Sequence, residues 1–213
     1  NWRGRHDTAK GWPSTAVSTW LNGGLFGAAP VVASGGTETE YAGFKSHKFT
    51  STGTFTVSDA GATGLVEFIV VASGAGGTGM AAGGGAGGVR VMTAQTVTAQ
   101  GYAITIGAGG TGDASGNTST CAINSISATG GGKGADLYGT SASGGSGGAG
   151  GRNATYGGVA GAAGNAGGYS PVEGYAGGNG LVTAGGGMGG GGGGATAVGT
   201  NATGPATCGV GGA

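Results

Sequence analysis

The side chains able to do chemistry are few: two histidines, His6 and His47, eight carboxylates and two cysteines in 213 residues. A nucleophilic site needs a positioned Ser or Cys beside a His that an acid orients. His47 stands between Ser46 and Lys48 in an alternating run, the setting of a surface or cross-strand histidine. Glu38 and Glu40 are the carboxylate pair that stands out, because i,i+2 spacing puts both on one face of a strand. That face suits a weak cation site or, more simply, a solvated edge. Cys121 and Cys208 lie far apart, unlike metal ligands, and admit either one disulfide or two free thiols. Catalytic, metal and cofactor-binding residues are therefore all read as none, and the chain is read as not an enzyme.

Gly74-Ala75-Gly76-Gly77-Thr78-Gly79 spells G-x-G-x-x-G after an apolar run. A dinucleotide site also needs a helix behind that loop and an acid about 20 positions on. Gly83-Gly84-Gly85 and Gly87-Gly88 forbid the helix, and the next acid is Asp113. Gly132-Lys133 is followed by Gly134 where a phosphate loop needs Ser or Thr. No cofactor is expected.

Tyr138, Tyr156, Tyr169 and Tyr175, with Arg152, are spread through the glycine-rich half. If glycine tracts run antiparallel, their connecting loops carry these larger residues to the ends of a bundle. Tyrosine gives contact area at low entropic cost, so these five are candidate receptor or partner contacts; the alternative is that they cap the bundle. Asn117, Asn153 and Asn201 begin N-x-S/T triplets, which carry little information in a chain this rich in Ser and Thr.

The elements that must position these residues have an unusual composition. Glycine takes 61 positions, while Lys and Arg number 8 and Asp and Glu 8, for a formal net charge of zero. The absence of a basic run excludes a nucleic-acid partner, which needs a concentrated positive field. The longest apolar run, Leu65 to Ala72, falls short of the roughly 20 residues that span a bilayer, so no membrane insertion is expected. A start at Asn1 instead of Met fits a processed or truncated chain, and the first residues do not have the pattern of a signal peptide. Collagen is excluded because the glycines keep no third-residue register and prolines number 4.

Three regions follow. Residues 1–40 hold Trp2, Trp12 and Trp20 and read as a segment that docks in an assembly, with ordinary core packing as the alternative. Residues 41–129 read as short strands: 47–50, 54–57, 65–71, 89–98, 102–106 and 118–128. The 89–98 and 102–106 strands are expected to join through a tight turn at Ala99-Gln100-Gly101. Strands so short and evenly spaced predict an all-β antiparallel sandwich, with 74–88 and 107–116 as glycine-rich insertions. Residues 130–213 read as a glycine bundle. Glycine runs there cannot be α-helices, at about 1 kcal/mol per glycine relative to alanine. Left-handed three-residue helices of the polyglycine II type, bonded backbone to backbone with their neighbours, would satisfy them.

The order Phe49-Thr50-Ser51-Thr52-Gly53-Thr54-Phe55-Thr56-Val57, Val66-Glu67-Phe68-Ile69-Val70-Val71-Ala72-Ser73-Gly74, Tyr102-Ala103-Ile104-Thr105-Ile106-Gly107-Ala108-Gly109-Gly110 and Ile126-Ser127-Ala128-Thr129-Gly130-Gly131-Gly132 resembles the glycine-rich domain of bacteriophage tail-fibre and tail-appendage proteins. The likeness covers about residues 44–213. It is also similar in arrangement to a jelly-roll or tumour-necrosis-factor-like sandwich with polyglycine helices packed beside it. The resemblance implies a non-enzymatic virion protein, a tail fibre, tip or surface decoration, whose loops touch a host carbohydrate or protein. Its partners would be copies of itself, as a trimer or helical array, and other virion proteins, at the virion surface. The alternative is an extracellular filament or sheath subunit whose Trp-bearing N-terminus docks into the next copy.

Overall fold

A computed structural model of the chain describes residues 29–78, 82–136, 139–153, 157–183, 186–204 and 206–213. Trp2, Trp12, Trp20, Tyr138 and Tyr156 lie outside the described residues. The described chain is all-β: it contains no α-helix, and its sheets are antiparallel.

A five-stranded sheet has the order β1 (Val32–Ser34), β4 (Gly53–Asp59), β7 (Gly101–Thr105), β8 (Ser119–Cys121), β9 (Ile126–Ala128). β5 (Leu65–Val71) pairs with β6 (Val89–Thr96), and β2 (Thr37–Tyr41) with β3 (Phe44–Lys48). Alternation sets the core. Val57, Val70, Tyr102, Cys121, Ile123 and Ala128 are buried, with Phe55, Val66, Phe68, Ile104 and Ile126 packed against them. Strands of the five-stranded sheet and the β5–β6 pair thus contribute to one apolar cluster.

The structure departs from the sequence reading in four places. Strands begin at Val32, ahead of the boundary at residue 40, because Val31 and Ala33 pack on the core and β1 pairs with β4. Where a strand was expected at 47–50, β3 spans 44–48 and pairs with β2 through a turn at Ala42 and Gly43, both at positive φ. β6 and β7 do not pair with each other. Val97 N–H donates to the Gly64 carbonyl and Thr98 N–H to the Tyr102 hydroxyl, which carries the chain round a corner from one sheet to the other. The 118–128 run is two strands, broken by a 3₁₀ turn at Ile123–Ser125 where Asn124 and Ser125 take positive φ.

The glycine tracts between strands continue the hairpins they were expected to interrupt. Val71 faces Val89 at the end of the β5–β6 sheet. Ala72 then donates to Gly88, Ala75 to Gly85 and Thr78 to Ala82, on the same pairing axis but with bonds every third residue. β7–β8 behaves alike: beyond Thr105 opposite Thr120, Asn117 donates to Ala108 and Ala114 to Thr111.

Past residue 129 the third-residue spacing is general. Gly132 and Ala135 donate to Ser146 and Ala149; Tyr175 and Gly178 to Gly194 and Gly191; Gly199 and Ala202 to Ala176 and Asn179; Gly209 and Gly212 to Gly189 and Gly192. Neighbours run both parallel and antiparallel. Residues 144–151 are all buried and form the centre, bonded to segments around 83, 130–135, 159–166, 175–178 and 190–193. Within it, the Ser146 Oγ lies 2.9 Å from the carbonyls of both Gly87 and Gly194. Side chains are excluded for a steric reason: a Cβ at Gly148, Gly150 or Gly191 would fall closer than 3.0 Å to the carbonyl oxygens of Lys133, Val159 and Val210 respectively.

Gly191 and Gly211 separate close approach from glycine's entropy. A Cβ at Gly211 meets only the Gly192 oxygen, at 3.8 Å. Gly211→Ala is expected to stabilise by about 0.4–1 kcal/mol by restricting the unfolded chain. Gly191→Ala is expected to destabilise by roughly 1–3 kcal/mol, and Gly191→Val by more, as overpacking does. Urea unfolding of the variants measures both signs.

Candidate functional site

The densest gathering of polar side chains lies where the glycine bundle meets the strands. Asn165, at φ 55°, accepts from the N–H groups of Tyr169 at 3.0 Å and Glu173 at 3.4 Å, and its amide donates to the Tyr169 carbonyl. The loop so closed lays Tyr169 and Glu173 against β9 and β6. The Tyr169 hydroxyl is 2.9 Å from the Ser127 Oγ. The Arg90 guanidinium sits 3.9 Å from the centre of the Tyr169 ring and donates to the Ser127 carbonyl. Such a cation over an aromatic face is worth about 0.5–1 kcal/mol or more as it is desolvated.

Glu173 is completely buried. Its carboxyl oxygens accept from Thr129 N–H at 2.8 Å and Gly167 N–H at 3.3 Å, and its backbone carbonyl accepts from Val89 at the start of β6. One residue therefore ties β6, β9 and the 165–173 loop together. Its carboxyl accepts from backbone groups, and the cluster's geometry is that of a clamp. Sequence reasoning passed over Glu173 and Ser146. The signal for Glu173 was its isolation, a single acid amid glycines, where a surface role would call for more charge.

Of the predicted contact residues, Tyr169 is held in this clamp. Tyr175 is 37% exposed, with its backbone bonded to Gly147 and Gly194. Arg152 lies in β10 (Arg152–Asn153), paired with β11 (Gly157–Gly158). The structure brings Tyr169 together with Arg90, Ser127 and Asn165, and it leaves Arg152 on a separate hairpin.

The β2–β3 hairpin holds the other charged group. Glu38 faces His47, and Glu40 faces Lys45. Lys45 Nζ is 3.2 Å from Glu38 and 4.0 Å from Glu40, so an internal ammonium occupies the position a cation would take. The His47 Nδ1 lies 2.9 Å from the Gly35 carbonyl and the ring meets Phe55 edge-on at 5.1 Å, the placement of a cross-strand histidine. At the tip, beside the Ala42-Gly43 turn, Phe44 is 78% exposed.

The cysteines are free thiols: Cys121 is buried in the core and Cys208 is exposed, with its Sγ 3.5 Å from the Met188 Sδ. The disulfide that the spacing admitted is not formed. Cys208 also borders a cleft of about 350 Å³ whose walls are Gly83, Gly84, glycines 190–193, Gly209, Gly211 and Gly212 together with Ala86. Among the described residues, no three His, Cys, Asp or Glu side chains converge as a metal site, and no helix is long and apolar enough to cross a membrane.

These features define an all-β protein whose larger part is held by backbone bonds between glycine tracts. The chain belongs to the family described as a glycine-rich domain, which matches residues 50–213. No curated protein and no solved structure matches it.

Two outcomes follow from the buried groups. Glu173→Ala strands the Thr129 donor, costing about 1–3 kcal/mol, while Glu173→Gln keeps an acceptor and costs less. Thermal melts of the two variants rank them. Burial pushes the Cys121 thiol above its ordinary range, so its contribution to stability is complete below the free-thiol pKa and is lost as pH rises through the raised value. Tyr102, lowered by its hydrogen bonds with Thr98, acts in the opposite sense. The difference between wild type and Cys121→Ala in urea midpoint, followed from pH 7 upward, is expected to shrink with increasing pH.

Proposed function

We propose that this is a structural, non-enzymatic protein of a phage virion, a fibre, tip or surface decoration, that holds loops out for host attachment. In this reading the five-stranded sheet and the β5–β6 pair are the two layers of a jelly-roll-like sandwich. The tracts are polyglycine II helices, left-handed with three residues per turn and no internal hydrogen bonds. The observation that carries the reading is the third-residue spacing of bonds between tracts, running to several neighbours from the central segment 144–151. A body braced on many sides by backbone bonds is suited to bearing load and displaying loops. The exposed Phe44 hairpin tip and Tyr175 are the surfaces it offers to a receptor carbohydrate or protein.

Copies of the chain are proposed to assemble at the virion surface. Closed symmetry belongs to a fibre or tip, whereas an open helical repeat belongs to the rival, an extracellular filament. Electron microscopy of the native particle is expected to show closed oligomers on a virion. A soluble monomer that turns over a small molecule would sink both readings.

A further inference from the structure

Strand β5 leaves one edge free. Backbone groups of an antiparallel strand point alternately to one neighbour and the other. Val97 N–H donates to the Gly64 carbonyl and Ala72 N–H to the Gly88 carbonyl, so the even-numbered residues of β5 serve β6. Leu65, Glu67, Ile69 and Val71 turn their N–H and carbonyl groups the other way, where no strand among the described residues pairs with them. Leu65, Ile69 and Val71 are also 45%, 62% and 56% exposed. Natural sheets guard their edges with short strands, charges, bulges or a covering loop. The other edges here have such guards. β1 and β9 are three residues each, and β2–β3 carries Glu38, Glu40, Lys45 and Lys48. β6 shifts register near Ala94, at φ 52°, its Val89 N–H donates to the Glu173 carbonyl, and the Gln95 amide donates to the Thr93 carbonyl. β5 has seven residues, a single charge at Glu67 and apolar side chains on both faces, the make-up of an interior strand.

We propose that the free edge of β5 pairs antiparallel with the same edge of a second copy, about a two-fold axis at Phe68. This names the contact for the self-assembly proposed above and rests on that reading. What selects a second copy is self-complementarity. The outward groups sit at alternate positions placed evenly about Phe68, so the axis sets Leu65 opposite Val71 and Glu67 opposite Ile69 of the second copy. Every outward N–H and carbonyl of both strands then meets a partner, and two β5–β6 pairs become one four-stranded sheet. Sliding by two residues one way sets Glu67 against Glu67 of the second copy, a destabilising like-charge pair. Sliding the other way leaves Leu65 beyond the end of the facing strand. Charge and hydrogen bonding thus favour the same register. Affinity comes from the main chain, as in other strand additions, and Ile69 and Val71 shield the new bonds from one face.

Sedimentation of the full chain is expected to show a dimer whose fraction falls on dilution. Amide exchange followed by NMR is expected to find Leu65, Glu67, Ile69 and Val71 protected in the dimer and exchanging at least tenfold faster in the diluted monomer. Ile69→Glu sets like charges across the contact and is expected to weaken association tenfold or more at low salt. Ile69→Lys sets an ammonium opposite Glu67 of the second copy and is expected to tighten it. Both changes fall on an exposed side chain, so far-UV circular dichroism is expected to match wild type; if either variant loses its fold, exchange in the wild type decides. An assembly whose β5 amides exchange freely, or in which the two charges act alike, would overturn this contact and leave self-assembly standing. A monomer with free exchange would overturn both. Protection that persists at every dilution in a monomer would overturn the contact too, by placing the chain's own residues on the edge.

Discussion

The structure depends on one interaction, the hydrogen bond from an N–H of one glycine tract to a carbonyl of another at a separation that leaves no room for a Cβ. A buried backbone must pair its polar groups somewhere. Sheets pair them in two directions, and here the tracts pair them with several neighbours. Each such bond contributes only about 0.5–1.5 kcal/mol net, while ordering each residue costs about 1–2 kcal/mol. Only a layer in which nearly every residue serves several others can stand, and this is why residues 144–151 are wholly buried and so nearly free of side chains beyond Cβ. The same requirement explains the low charge, since the layer's interior has no place for a solvated group.

Cohesion of this kind has to be anchored to the rest of the molecule, and two devices do so. The hairpins of β5–β6 and β7–β8 run into the tracts on their own pairing axes, with a change only in bond spacing. The buried Glu173 and the Arg90–Tyr169–Ser127 contact fasten the 165–173 loop to β6 and β9. Polar side chains appear inside where a backbone donor or acceptor has no tract partner, as at Thr129 and Gly87.

Much of the strand region was legible in the sequence. The run at 65–71 is β5 to the residue, because a short stretch this rich in β-branched and aromatic residues favours a strand. β6 and β7 were placed to within a residue or two, but their pairing was not, because adjacency in sequence says nothing about a corner held by Gly64, Thr98 and Tyr102. The hairpin at 37–48 was hidden by a turn whose first residue is an alanine in an unusual conformation. Within the glycine half, composition announced backbone pairing. It could not announce which tract meets which, since near-identical segments carry no side-chain pattern to select a neighbour. Ser146 and Glu173 looked like incidents in low-complexity runs, and only the fold reveals what they hold.

The shared pairing axis of sheet and tract sets a rule for length. Because bonds in the arms at 72–78 and 82–88 recur every third residue, removing or adding three residues on each arm returns every remaining donor to an equivalent acceptor. The strands beneath keep their register throughout. The fold therefore has a natural increment by which such arms can grow or shorten over generations, and insertions of other sizes meet a phase error that the sheet itself would never impose.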